Sequence, residues 1–426
     1  MIVLAGLASA AGPALLPDNT ALAAEFDYEL RAGGTYSDNI GRDSGVEEDG
    51  TIAFVGLSTD VTQATRRIDF SLLSDLDFFH YPDTDFDDEV FGAVNADVTL
   101  GLVPNLLDWV TTDRFGKLQT DPFGADTPDN RGNFNNFSTG PELTLPLGDR
   151  TRLTLGGRYG INSFEERETD NDQITGSIAL NRAISRNRSV GLAATYDDID
   201  YDDDQLNQDF ERRSLAATFR SEISRGSLSV DLGINEVEVA GETLDGTLAS
   251  VSFNRELTAR TSFGLGYDRR FSNAGDIFNR FQTGGTGFGE TQDIAGDGEP
   301  FESQRFSASL RTEAGGNDFS VAVFRSEEDF ESDNALERQR DGVRAGVSRR
   351  LGSNWRISLD GRFEQSDFQN ADREDDNLFA NATVSRRLTR TFFVDFTYRY
   401  ADRGSSDGGF DFTENRYTLT LRFDPD

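Results

Sequence analysis

The feature that most constrains this chain is alternation. From Glu25 onward apolar and polar residues take turns with a period of two, and no stretch of comparable length shows a helical period. Tyr417, Leu419, Leu421 and Phe423 alternate with Thr418, Thr420 and Arg422. Phe392, Val394, Phe396, Tyr398 and Tyr400 alternate with Phe393, Asp395, Thr397 and Arg399. Trp355, Ile357, Leu359, Gly361 and Phe363 follow the same rule, as do Val190, Leu192, Ala194 and Tyr196, and Ile68, Phe70, Leu72, Leu76 and Phe78. Successive side chains of a strand point to opposite faces, so each segment has one apolar and one polar face.

The punctuation is as regular as the strands. Short turns fall at Gly148–Arg150, Ser185–Arg188, Ser224–Gly226, Thr258–Arg260, Gly315–Asp318, Gly352–Asn354 and Thr389–Arg390. Between them lie longer polar segments: Asp38–Gly50, Pro82–Glu89, Gln119–Asn135, Arg167–Gln173, Asp202–Asn207, Ser272–Glu302, Glu331–Arg338, Gln369–Asp376 and Gly404–Gly409. Arginine gathers near the short turns and acids in the long loops. Alternating short and long connections predict an all-β, antiparallel, up-and-down transmembrane barrel with tight periplasmic turns and long outer loops. The segments predict about 20 strands, with about 18 as the alternative, because such counts are even. The soluble rival is a propeller or solenoid, which fills both strand faces with core residues and repeats more tightly.

Composition fits the barrel and excludes much else. The chain has 426 residues, 41 basic and 76 acidic, a net charge of −35, and 36% hydrophobic residues. That balance would read as disorder, yet there are 34 phenylalanines. A barrel is solvated by lipid outside and water inside and has no sheet edge, so it stays ordered without a dense core. The acidic balance argues against nucleic acid as a partner. The absence of cysteine excludes disulfides, thiolate metal sites and thiol catalysis. His80 is the only histidine, and Lys117 the only lysine. His80 closes a strand on its apolar face, where an interfacial role is expected. No Gly-x-Ser-x-Gly element occurs, and Gly284–Gly289 matches neither a P-loop nor a dinucleotide fingerprint. No catalytic or cofactor-binding residue is therefore assigned, no cofactor is expected, and the chain is not read as an enzyme. Asp83, Asp85 and Asp87 resemble the opening of a calcium loop, but Asp88 replaces its glycine and Val94 its glutamate, which leaves a weak cation patch.

Met1–Ala24 is the one strongly apolar stretch and ends in the small-x-small pattern Ala21-Leu22-Ala23, as in a signal peptide, although no basic residue precedes Arg31. The remainder, 25–426, reads as a single barrel domain, integral to a bacterial outer membrane.

With the apolar face toward lipid, the polar face lines the lumen. It holds Arg158, Arg220, Arg305, Arg311, Arg344, Arg356, Arg362, Arg399 and Arg422, with Asp69, Asp75, Asp77, Asp97, Asp231, Asp268, Asp360, Glu364 and Asp395. Acids come early in the chain and arginines late. Two readings stay open: a transverse field for polar solutes, or cross-strand pairs that hold the wall together. Gln119–Asn135 is too long for a simple turn and is expected to pack inside the barrel mouth as a constriction; the strand after it is interrupted by Pro141 and Pro146. Ser272–Glu302, rich in glycine and carrying Phe278, Arg280, Phe281 and Phe288, is expected either to occlude the lumen and move, or to be a disordered outer loop.

Tyr417, Leu419, Leu421 and Phe423 resemble the terminal strand of outer-membrane proteins that the barrel assembly machinery reads, though Phe423 lies three residues short of the end. Tyr36-Ser37-Asp38-Asn39-Ile40, then Trp109, Asp113–Gly116, Asp121-Pro122-Phe123, Thr127–Asn130 and Phe137–Pro141, resemble signatures of the β-barrel porins associated with exopolysaccharide and PEP-CTERM gene clusters of Gram-negative bacteria. The resemblance implies an outer-membrane channel that serves as a passive conduit for exopolysaccharide secretion, with periplasmic polysaccharide-export proteins as partners, and supplies no catalytic residue. The alternatives are a general diffusion porin for small polar solutes and a non-transporting surface or adhesion barrel. The latter would use its acidic loops, bridged by divalent cations to lipopolysaccharide.

Overall fold

The computed structural model describes residues 24–203, 207–283, 298–330 and 335–425; the expected signal segment lies outside them except for Ala24. Twenty strands form one closed sheet. The first six are β1 (Glu25–Ser37), β2 (Gly50–Ala64), β3 (Ile68–His80), β4 (Glu89–Val103), β5 (Leu107–Gln119) and β6 (Arg131–Pro146). The next seven are β7 (Thr151–Phe164), β8 (Asn171–Ser185), β9 (Arg188–Tyr201), β10 (Phe210–Ile223), β11 (Gly226–Val239), β12 (Glu242–Thr258) and β13 (Thr261–Ser272). A helix, α1 (Ala274–Thr283), precedes β14 (Phe301–Ala314), β15 (Asn317–Phe330), β16 (Arg338–Leu351) and β17 (Trp355–Phe368). β18 (Arg373–Arg387), β19 (Phe392–Ser405) and β20 (Phe412–Phe423) complete the wall. Each strand pairs antiparallel with its chain neighbours, and β1 pairs with β20 from Leu30 opposite Phe423 to Ser37 opposite Arg416. Closure pairs β1 on both sides from Leu30 to Ser37 and leaves only Glu25–Glu29 paired with β2 alone; a closed sheet is the condition for crossing hydrocarbon with strands.

The period-two pattern becomes two surfaces. Phe26, Leu30, Val55, Leu232, Ile234, Leu359 and Leu419 stand exposed on the outer surface. Aromatics gather there at two levels. Phe392 and Phe423 pack at 5.1 Å beside the short turns, and Tyr398 and Tyr417 at 5.2 Å toward the other end. Two such girdles mark the headgroup levels of a membrane barrel. Strands run from 12 to 17 residues, whereas about 9–11 residues cross the hydrocarbon. The surplus carries the wall beyond the bilayer at the long-loop end.

Two sequence expectations are corrected. The outer connection between β11 and β12 is a two-residue turn, with positive φ at Ala240 (53°) and Gly241 (82°), so long loops do not occur at every outer position. That is the primed-turn conformation of tight hairpins, for which Ala–Gly is a weak signal compared with Asn–Gly. Pro141 does not end the sixth strand, which continues past it and stops at Pro146. The β6–β7 ladder skips Gly140 and Pro141 and resumes in the same register, from Thr139 opposite Tyr159 to Glu142 opposite Gly156. Arg158 fills the gap: its Nη1 donates to the carbonyls of Pro141 (2.9 Å) and Gly140 (3.3 Å). One predicted lumen arginine thus satisfies backbone acceptors that the proline leaves without a ladder partner.

Among the described residues, three small clusters of buried apolar side chains form, all at the long-loop end. They centre on Phe134 and Phe278, on Ile199 and Val237, and on Ile40 and Tyr81.

Candidate functional site

The outer mouth is built from two connections folded inward. The first, Thr120–Asn130 between β5 and β6, is shaped by its own side chains. Asn130 accepts from the backbone of Asp121 (2.7 Å) and donates to the carbonyls of Asp121 and Ala125, both at 2.9 Å. Gln119 donates to the Gly124 carbonyl at 2.7 Å. The folded tip then reaches the facing wall. The Phe123 ring lies 4.8 Å from that of Phe368 on β17. The Phe123 carbonyl accepts from Arg373 on β18 at 2.8 Å, and the Gly124 carbonyl from Arg403 on β19 at 2.8 Å. At the loop's base Asp126 takes the Arg131 guanidinium at 2.6 Å and faces Arg42 at 3.8 Å. Burial pushes the Asp126 carboxyl up, but the charges of Arg131 and Arg42 outweigh it and hold the group well below the usual carboxylate range. Arg42 in turn bonds Glu414 of β20 at 2.9 Å.

The second inward element is α1. Asn273 caps it: its Oδ1 accepts from the Asp276 backbone (2.9 Å), and Asp276 Oδ2 accepts from the Asn273 backbone (3.2 Å), a reciprocal capping box. Asp276 also pairs with Arg212 of β10, which is held by Asp197 of β9 at 2.9 Å. Phe278 is fully buried, 4.3 Å from Phe134, in a cluster with Leu118, Phe164, Ile277, Phe301 and Phe330. A Cβ on Gly275 would lie 2.8 Å from Asn162 Oδ1, so glycine allows the helix to rest on the wall. There Asn136, Asn162 and Asn171 form a side-chain ladder at 2.6 and 2.8 Å. The chain enters this position because β13 leaves β12 after Arg269. Phe271 then turns inward onto Gly246, where a Cβ would meet its ring at 2.6 Å. Phe288 and the side chains of Arg280 and Phe281 lie outside the described residues.

Beneath the first loop, between it and the wall from β16 to β20, is a chamber of about 680 Å³. Seven arginines line it, Arg42, Arg131, Arg344, Arg362, Arg399, Arg403 and Arg416, against four acids, Asp77, Asp126, Asp360 and Glu364. Two of the arginine pairs are direct cross-strand neighbours: Arg344 opposite Arg362, and Arg399 opposite Arg416. Phe54, Phe79 and Phe91 close the other side, the last two stacked at 5.6 Å.

The lumen differs between its two halves. At the outer end the inward charges are buried and mutually bonded: Glu328 takes Arg338 and Arg340, each at 2.8 Å, and Arg373 pairs with Asp375. Nearer the short turns Asp69, Arg220, Arg311 and Arg356 occupy the same face and are exposed. Along the wall several of the predicted lumen charges also pair. Asp75 and Asp77 share Arg31, the latter at 2.7 Å; Arg220 meets Asp231 at 2.7 Å; Arg422 meets Asp395 at 3.0 Å. Asp268 bonds Arg270, Asp97 bonds Arg114, Arg305 lies over the Phe324 ring at 4.8 Å, and Asp360 accepts from Asn381 at 2.8 Å.

The remaining candidates are placed as follows. Asp83 accepts from Thr51, and among the described residues no three acidic or histidine side chains converge as a metal site. His80 faces outward at the end of β3 with its Nδ1 2.8 Å from Asp88. Tyr417, Leu419, Leu421 and Phe423 lie on the outward face of β20, between β19 and β1. Sequence reasoning passes over Arg42, Arg131, Arg373, Arg403 and Arg416. Only the capping spacing Asn273-x-x-Asp276 is a readable sign of the helix.

Fold and lumen together define a porin-like β-barrel of the outer-membrane type. The family described as "Putative beta-barrel porin 2" matches residues 327–424, the last strands of the wall. Among solved structures the chain is similar to a ferric enterobactin receptor mutant (PfeA) of Pseudomonas aeruginosa in complex with enterobactin. The identity is 10%, covering 95% of this chain and 82% of that one, with a TM-score of 0.49. It is similar to OccAB4 of Acinetobacter baumannii at 10% identity, over 96% and 100% of the two chains, with a TM-score of 0.39. For a BenF-like porin of Pseudomonas fluorescens Pf-5 the values are 9%, 94% and 99%, and 0.40. No curated protein matches the chain in sequence.

Proposed function

We propose that this barrel is a gated conduit for polysaccharide leaving the cell through the outer membrane. The observation that carries the proposal is the asymmetry of the lumen. Asp69, Arg220, Arg311 and Arg356 are open to water toward the short-turn end, whereas Glu328, Arg338, Arg373 and Asp375 are buried at the outer end. A solute therefore loads from the periplasm, and release requires movement of the mouth. The sequence resemblance to porins of exopolysaccharide gene clusters supplies the solute class. Periplasmic export proteins are the partners this direction implies, with the assembly machinery and lipopolysaccharide as the surroundings of the folded barrel.

The test is to replace Asn273–Pro300 with an Asn-Gly turn, since Ser272 already pairs with Phe301. In planar bilayers the wild type should be mostly closed, and this variant, combined with Phe123→Ala, should conduct. A correctly assembled double variant that stays closed refutes the conduit. It would favour a non-transporting surface barrel, the reading supported by the buried ion pairs of the outer half. Passage of neutral disaccharides with exclusion of long polymers would instead indicate a general diffusion porin.

A further inference from the structure

We infer that the chamber beneath the Thr120–Asn130 loop is a binding site for carboxylate-bearing sugars, so that the polymer carried is an acidic one; this rests on the conduit reading above. The chain as a whole carries −35 charges, yet this cavity is lined by seven arginines and four acids. Like charges directly opposite one another across a ladder are unfavourable. Here two such pairs face the same space, Arg344 with Arg362 and Arg399 with Arg416. Glu364 offsets Arg362 at 3.1 Å, and Glu414 offsets Arg416. Arg362 keeps a buried Nε without an acceptor. An anionic guest relieves the repulsion within each pair, and a guanidinium fork matches a carboxylate in geometry as well as charge.

The opposite wall narrows the class further. Phe79 and Phe91 present stacked aromatic surface, with the Arg131 guanidinium 4.9 Å from the Phe91 ring. Aromatic faces accept the apolar face of a sugar ring, while a bare inorganic anion gains nothing from them. The volume of about 680 Å³ falls within the range of ~300–1,000 Å³ typical of small-molecule sites. Arg344 and Arg399 are exposed to the lumen, which makes them reachable from the open periplasmic end.

Calorimetry on the detergent-solubilised barrel tests this without transport. Hexagalacturonate should bind at least about tenfold tighter than maltohexaose, ~1.4 kcal/mol. The double variant Arg344→Gln, Arg399→Gln should lose that preference, and Arg311→Gln, on β14 outside the chamber, should keep it. Equal affinities for the two hexasaccharides, or a preference that survives the double variant, overturns the inference. So does inorganic phosphate that displaces hexagalacturonate at the same concentration, which would make the site a general anion site. A barrel that conducts once its loops are removed but shows no preference refutes the acidic sugar alone. One that binds hexagalacturonate but never conducts refutes the conduit.

Discussion

Truncating Phe278 to alanine should open the mouth without unfolding the wall. The ring is fully buried, 4.3 Å from Phe134, which itself lies 4.4 Å from Phe164. Removing a buried phenylalanine costs about 3–5 kcal/mol, because contacts are lost and a cavity remains. The strands that carry Phe134, Phe164, Phe301 and Phe330 are each held by ladders on both sides, so the loss falls on the docking of α1. At ~1.4 kcal/mol per tenfold, even 3 kcal/mol raises the undocked population roughly a hundredfold. Hydrogen exchange of peptides covering 273–283 reads that population directly, since local opening sets the rate. Exchange in Phe278→Ala should accelerate by about two decades, while peptides from β7 and β15 keep wild-type protection. Phe278→Leu, which refills most of the volume, should fall between. An α1 that exchanges within about threefold of wild type in the alanine variant would show that the phenylalanine contact does not hold the helix, and the docking argument would fail.

Gly275→Val should undock the same helix from the other side, because a side chain there meets Asn162; exchange of 273–283 should rise while the barrel assembles normally. The first loop should resist acid. The pKa of Asp126 is depressed in the folded state, so its contribution is present above the unfolded value near ~3.9 and is lost only as pH falls through the lower folded value. Single-channel closed fractions should match at pH 7 and 5 and drop only below about pH 4; Asp126→Asn should raise the open fraction at pH 7 already, and a wild type that opens between pH 7 and 5 contradicts the pairing. Leu359→Arg, on the lipid face, should destabilise folding into vesicles by about 2–4 kcal/mol. Asp360→Asn, its inward neighbour, should change it by well under 1 kcal/mol, read from denaturant midpoints in the same lipid.

The sequence by itself determined the wall. An alternation of period two has one solution for which face meets lipid, so the pattern alone marks Leu359 and Leu419 as outward, and Asp360 and Arg399 as facing the other way. Turn spacing set the approximate strand number but left the short connections at Thr65–Arg67, Pro104–Leu106 and Ala240–Gly241 unmarked. The mouth was decided by tertiary structure. Phe123 meets Arg373 from 250 residues away, and no local pattern encodes a contact across the lumen. Arg42 sits in a loop and Arg131 opens β6, where charge reads as ordinary solvation, and with Arg416 inside β20 they become a chamber only when β20 closes on β1. Arg158 shows the same division. Its alternation placed it on the inner face, but the gap in the ladder at Gly140 and Pro141 gave it its partners. Strand faces follow from a two-residue period along the chain. What fills the lumen depends on which distant side chains closure brings within a few ångströms, and that information lies in the register and curvature of the sheet.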